Sequence, residues 1–130
     1  MIGKTINSIL TNNAALTALV PVLNIYPYAA NENTTLPAII YRIDSLSPEY
    51  NKGGWANDMI EFSIYSAAKD YSQLQDVVSA IRTALELNRT GYSTQEINYI
   101  YLVSMDEDYD SGQGGTFFNK LTFKVVINKY

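Results

Sequence analysis

The 130 residues include 47% hydrophobic and 17% charged side chains, a balance that gives one folded domain with a real core and excludes a disordered chain. There is no cysteine and no histidine, which excludes disulfides, thiolate catalysis, cysteine–zinc sites and the usual general base near neutral pH. The formal net charge of −4 arises from 9 bases and 13 acids, and Asp106, Glu107, Asp108 and Asp110 account for the whole excess, so no basic patch that would grip a phosphate backbone is in view.

Taken in order, Ile2-Gly3-Lys4-Thr5 runs into polar residues rather than an apolar core, so no signal peptide is expected, and a reducing compartment is. Residues 3–11 read as a first helix with Ile2, Ile6, Ile9 and Leu10 on one side. Asn13 is placed to cap a second short helix, Ala14 to Val20, which Pro21 ends. The apolar run from Ala14 to Leu23 is broken by Thr17 and Pro21 and is too short to cross a membrane. Asn24 to Tyr28 reads as a short extended piece that Pro27 confines to an edge or a bulge.

Pro37 opens a strand, Ala38 to Ser45, with Ile39, Tyr41 and Ile43 on one face. A second strand, Asn57 to Ser66, turns Ile60, Phe62 and Ile64 inward and should pair with the first as an antiparallel hairpin. The connection between them, Leu46 to Ala56, is long for a hairpin loop and carries Tyr50, Gly53-Gly54 and Trp55. Asp70 to Leu87 is the clearest helix: Leu74, Val77, Val78, Ile81, Ala84 and Leu85 recur at three- and four-residue steps. Asp70 or Ser72 suits its start, and Asn88 and Gly91 suit its exit.

Glu96 to Met105 alternates as a strand with apolar residues on both faces, which suggests a central place. An acidic loop, Asp106 to Gly115, follows, and Thr116 to Asn128 closes the chain with Leu121, Phe123, Val125 and Ile127 inward. The expected fold is a single α+β domain over residues 1–130. It is an antiparallel sheet of about four strands, with the long helix and the short N-terminal helices on one face.

Gly3-Lys4-Thr5 imitates the end of a phosphate-binding loop but lacks the earlier glycine and the preceding strand, so it is a false match. Asp106-Glu107-Asp108-Tyr109-Asp110-Ser111-Gly112 invites a calcium reading. However, Ser111 stands where such a loop needs glycine, and Phe117 where it needs a bidentate glutamate. A solvated hairpin turn opened by Gly112, Gly114 and Gly115 is the favoured reading. Tyr50 and Trp55 either fold back over the sheet edge as a small satellite core or press into a neighbouring subunit, and the sequence leaves both open. No pair of carboxylates has the spacing of a catalytic acid and base.

In order and spacing, six stretches resemble the tail-completion proteins of long-tailed bacteriophages, also described as tail-terminator or tail-to-head joining proteins. They are Ala14 to Val20, Ile25-Tyr26-Pro27, Leu36 to Tyr41, Ile60 to Ser66, Val78 to Leu85 and Leu121 to Val125. The acidic start of the 106–115 loop has no counterpart in that pattern. The resemblance implies a virion subunit that forms a ring, usually a hexamer, at the head-proximal end of the tail tube. Such a ring stops tube growth and docks to the head connector while DNA passes through without specific binding. It implies no enzyme activity, no cofactor and no metal. The sites expected to meet a neighbour are Tyr50, Trp55, Asp106, Glu107, Asp108 and Asp110. The rival readings are a calcium-binding module built on the acidic loop, another non-catalytic oligomeric adaptor, and a small enzyme working with carboxylates alone.

Overall fold

The computed structural model describes residues 2–30, 34–86 and 96–128. Helix α1 (Ile2–Thr11) buries Ile2, Ile6, Ile9 and Leu10, the four positions its period selects. The Asn13 side chain accepts the Leu16 N–H at 2.9 Å and starts α2 (Ala14–Thr17). This helix is shorter than the expected Ala14–Val20. Beyond Thr17 the amides of Leu19 and Val20 both turn back onto the Leu16 carbonyl, and the chain reaches Pro21 in a tightened turn.

The strands are β1 (Ile25–Pro27), β2 (Ala38–Asn51), β3 (Gly54–Ala68), β4 (Glu96–Asp110) and β5 (Thr116–Asn128), and the long helix is α3 (Tyr71–Leu85). They form one five-stranded sheet in the order β1-β2-β3-β5-β4. The expected antiparallel four are present as two long hairpins joined side by side. The fifth strand, β1, runs parallel to β2 at the edge, which makes the sheet mixed. The loop that returns from β1 is anchored by the Asn24 side chain, which donates to the carbonyls of Thr35 at 2.9 Å and Pro37 at 3.2 Å.

Three expectations are corrected. The supposed loop Leu46 to Ala56 is strand: pairing continues from Leu46 opposite Ile60 to Asn51 opposite Gly54, and only Lys52-Gly53 turns. Its polar sequence hid it, because this part of the hairpin has no core beneath it to demand apolar alternation. Pro48 is tolerated because, among the described residues, no strand lies on that side of β2 beyond Tyr41. The acidic residues 106–110 are likewise strand, paired with 120–116, and the turn is confined to residues 111–115. Finally, β4 is an edge strand, not a central one. A register shift between Leu102 and Ser104 reverses its alternation, so Met105 pairs with an inward residue of β5 as Ile100 does; Ile100 is buried, while Val103 and Met105 are 48% and 47% exposed at this edge.

All three helices lie on one face. α3 packs on β3, β5 and β4, α1 packs on β2, and α2 wedges against both helices. The six apolar residues read as the inner stripe of α3 are all buried. Their burial contributes on the order of 10 kcal/mol before conformational entropy is set against it. The Asp70 carboxylate caps the start by accepting the Ser72 N–H at 3.2 Å. The helix ends at Leu85, with Glu86 already extended; Leu87 and the exit expected at Asn88 and Gly91 lie outside the described residues. Under the helix, Phe62 and Phe123 face each other across β3 and β5 with stacked rings 5.4 Å apart.

Candidate functional site

Among the described residues, the last row that the β2–β3 hairpin shares with β5 is Asn57 opposite Asn128, and the hairpin runs past it to the turn at Lys52-Gly53. Tyr50 and Trp55 are register partners next to this turn. The Tyr50 side chain is 71% exposed, so it is not folded back onto the sheet. The two aromatic positions identified from sequence are thus brought together at the turn end of this hairpin.

The acidic residues lie elsewhere, at the other end of the opposite edge strand. Asp106 stands in the row of Lys120, Tyr65 and Ile40. Strand alternation then divides the group. Asp106, Asp108 and Asp110 take the face without helices, where Lys120 stacks over the Tyr65 ring 5.6 Å from its centroid. Asp110 accepts the Gly112 N–H at 2.8 Å and so begins the turn, which Gly114 and Gly115 complete with φ of 71° and 75°, a region glycine enters without a Cβ clash. Glu107 takes the helix face, where it accepts the Tyr71 hydroxyl at 3.1 Å and the Gln75 amide at 2.7 Å. The bond to Glu107, with smaller effects of desolvation and of the carboxylate charge, raises the Tyr71 pKa above the ordinary tyrosine value. The convergence that a calcium loop needs is therefore absent, and among the described residues no three acids gather as a metal site.

Two features were not legible in the sequence. A cleft of about 580 Å³ lies between α1 and β2 where β1 stops, lined by Lys4, Asn7, Pro27, Tyr28, Tyr41 and Ile43. Tyr41 donates its hydroxyl to the Asn7 side chain at 3.0 Å across the floor, and burial raises its pKa. Tyr28 has φ of 63°, a left-handed conformation uncommon outside glycine, asparagine and aspartate; it turns the chain away after one last bond from its N–H to the Tyr41 carbonyl. The false phosphate motif Gly3-Lys4-Thr5 falls in the first turn of α1, with Lys4 exposed beside the cleft and Thr5 buried. At the other edge a second cleft of about 480 Å³ separates α3 from β4, with Met105 on its wall. Tyr28's positive φ and the register shift in β4 lie beside these clefts, and neither leaves a period or a motif to read.

Among the described residues no helix is long and apolar enough to cross a membrane. The family model described as tail completion protein gp17 matches residues 4–128 of the chain. Among curated proteins none matches. Among solved structures, a chain from the virion of a native gene transfer agent (GTA) particle superposes with a TM-score of 0.80 at 13% sequence identity. The match covers 95% of this chain and 92% of that one, which establishes a shared fold.

Proposed function

Because this chain belongs to the tail completion protein family, we propose that it forms a ring, a hexamer, at the head-proximal end of the tail. There it ends tube growth and joins the tail to the head connector. It is a structural protein of the virion tail, and on this reading residues 1–130 act as one tail-completion domain. Its partners are further copies of itself, the tail tube protein and the connector or stopper protein. DNA passes through the ring without specific binding, and the subunit needs neither cofactor nor metal and catalyses no reaction.

The observation that carries this reading is the β2–β3 hairpin end, with Tyr50 exposed and Trp55 opposite it in register. Exposed tyrosine and tryptophan are favoured as interface anchors, because each joins a large apolar surface to a polar tip. On this reading the hairpin end reaches a neighbouring subunit or the docking partner. Asp106, Asp108 and Asp110, on the face without helices, turn toward the channel.

Light scattering coupled to size exclusion tests the ring directly. A species of several subunits is expected, alone or on addition of tail tubes. Trp55→Ala and Tyr50→Ala should lower its yield while the cooperative thermal transition is kept. A monomer at every concentration, with tubes present as well as absent, counts against the ring. Loss of the cooperative transition in Trp55→Ala would assign that residue to the subunit's own core.

A further inference from the structure

On the ring reading above, we infer that one copy joins the next by pairing the free edge of β2 with β4, so that neighbouring sheets continue into one wall. The two strands suit each other in sense. β2, β3, β5 and β4 each run antiparallel to the next, so β2 and β4 point in opposite directions. Copies standing side by side therefore present β4 to β2 as an antiparallel partner, the better-bonded arrangement. Among the described residues both edges are open. β1 covers β2 from Ile39 to Tyr41, and Tyr28 then carries the chain aside, so that no described strand pairs with Arg42 to Asn51 on that side. At the far side β4 extends from Glu96 to Asp110 with no described strand beyond it. A long open edge with half-exposed Val103 and Met105 is what a permanently monomeric protein avoids.

The rows of the sheet match the contents of the two edges. Tyr41 lies in one row with Ile64, Leu121 and Met105, and Ile43 lies in one row with Phe62, Phe123 and Leu102. Copies set side by side with little shift along the strands bring Met105 level with the cleft that Tyr41 and Ile43 floor. The charges agree as well. β4 carries Glu96, Asp106, Glu107, Asp108 and Asp110 and no base. The cleft is lined by Lys4 in the first turn of α1, a turn with no acid in it, where the helix end adds partial positive charge. Glu107 lies on the same face as that cleft, and its two bonds come from the neutral donors Tyr71 and Gln75, so its charge is left for Lys4 of the next copy. Pairing β4 with a second β4 about a two-fold axis would bring no base to its acids, whereas the head-to-tail contact brings Lys4, and head-to-tail contacts build a ring when the rotation closes.

Because the chain has no cysteine, introduced thiols report this contact without interference. Ser104→Cys is combined in turn with Arg42→Cys, Ser45→Cys and Ser47→Cys in the full chain, to scan the register. Within one subunit β2 and β4 are three strand spacings apart, roughly 14 Å, beyond the reach of a disulfide. The expected result after oxidation is a ladder of linked dimers, trimers and larger species for at least one pair. None is expected for Ser104→Cys alone or for Ser72→Cys with Ser45→Cys. If light scattering shows a ring but no β2–β4 pair yields a ladder, this contact is wrong and the ring reading survives. Dimers from a single-cysteine variant would mean a two-fold contact and overturn it. A protein monomeric throughout removes the ring and this contact together.

Discussion

Glu107 on β4 and Tyr71 at the start of α3 are joined by a hydrogen bond of 3.1 Å, which fastens the long helix to the edge of the sheet. Phe117 completes the join, with its ring 5.4 Å from that of Tyr71 and 4.7 Å from that of Tyr109.

The bond makes Tyr71 a late-titrating group. It raises the pKa in the folded chain, so folding favours the neutral hydroxyl. That contribution is complete below about pH 10 and is lost as pH climbs through the raised value. In a titration followed by NMR of labelled tyrosines, Glu107→Gln should bring Tyr71 back toward the ordinary value. Tyr41 should stay high, because its cause is burial. An unmoved Tyr71 would show that Glu107 is not what holds it.

The stripe of α3 gives a sharper contrast. Ile81 is fully buried between helix and sheet, and Ile81→Ala should cost about 2–5 kcal/mol in denaturant unfolding. Ser79, on the exposed side, should tolerate alanine within about 0.5 kcal/mol. Equal losses at the two positions would mean that the helix is turned the other way.

These contrasts mark what the sequence disclosed. Periodicity identified α1, α3 and the inner faces of β2, β3 and β5, because each of those segments buries one face and must alternate accordingly. It failed where no core enforces a pattern. Residues 46–51 and 106–110 are held extended by the ladder of the partner strand, so their own residues look like loops. The sequence puts Tyr50 and Trp55 in one segment, and the register sets them opposite each other. The acidic residues form one run in the sequence, yet strand alternation sends Glu107 to the helices and the aspartates to the bare face.

One buried pair runs against the usual rule. Ser66 and Asn119 are cross-strand neighbours, each 2% exposed, and their side-chain polar atoms have no hydrogen-bond partner among the described residues. Unpaired buried polar groups cost about 1–3 kcal/mol each. Ser66→Ala combined with Asn119→Leu should therefore leave the thermal midpoint unchanged or raise it. A fall of several degrees would show that an internal water satisfies the pair in solution.

The last prediction concerns the bare face of the sheet. Duplex DNA is a dense line of negative charge, and a surface rich in lysine would hold it by releasing counterions. Asp106 and Asp108 are exposed on this face, while Lys120 is drawn over the Tyr65 ring, Lys124 stands opposite Glu61 and Arg42 is paired with Asp44 at 3.1 Å. The bases here are thus partly engaged, and the aspartates are open to solvent. If neighbouring sheets form the wall with their helices outward, these carboxylates line the channel and repel the DNA backbone. A ring of Asp106→Lys, Asp108→Lys subunits should then retain threaded DNA, with a strong salt dependence that the unaltered ring lacks. An electron cryomicroscopy map of the assembled ring provides the direct measurement. Asp106 and Asp108 are expected on the wall nearest the axis, and finding them on the outer wall with the helices facing inward would rule the channel role out.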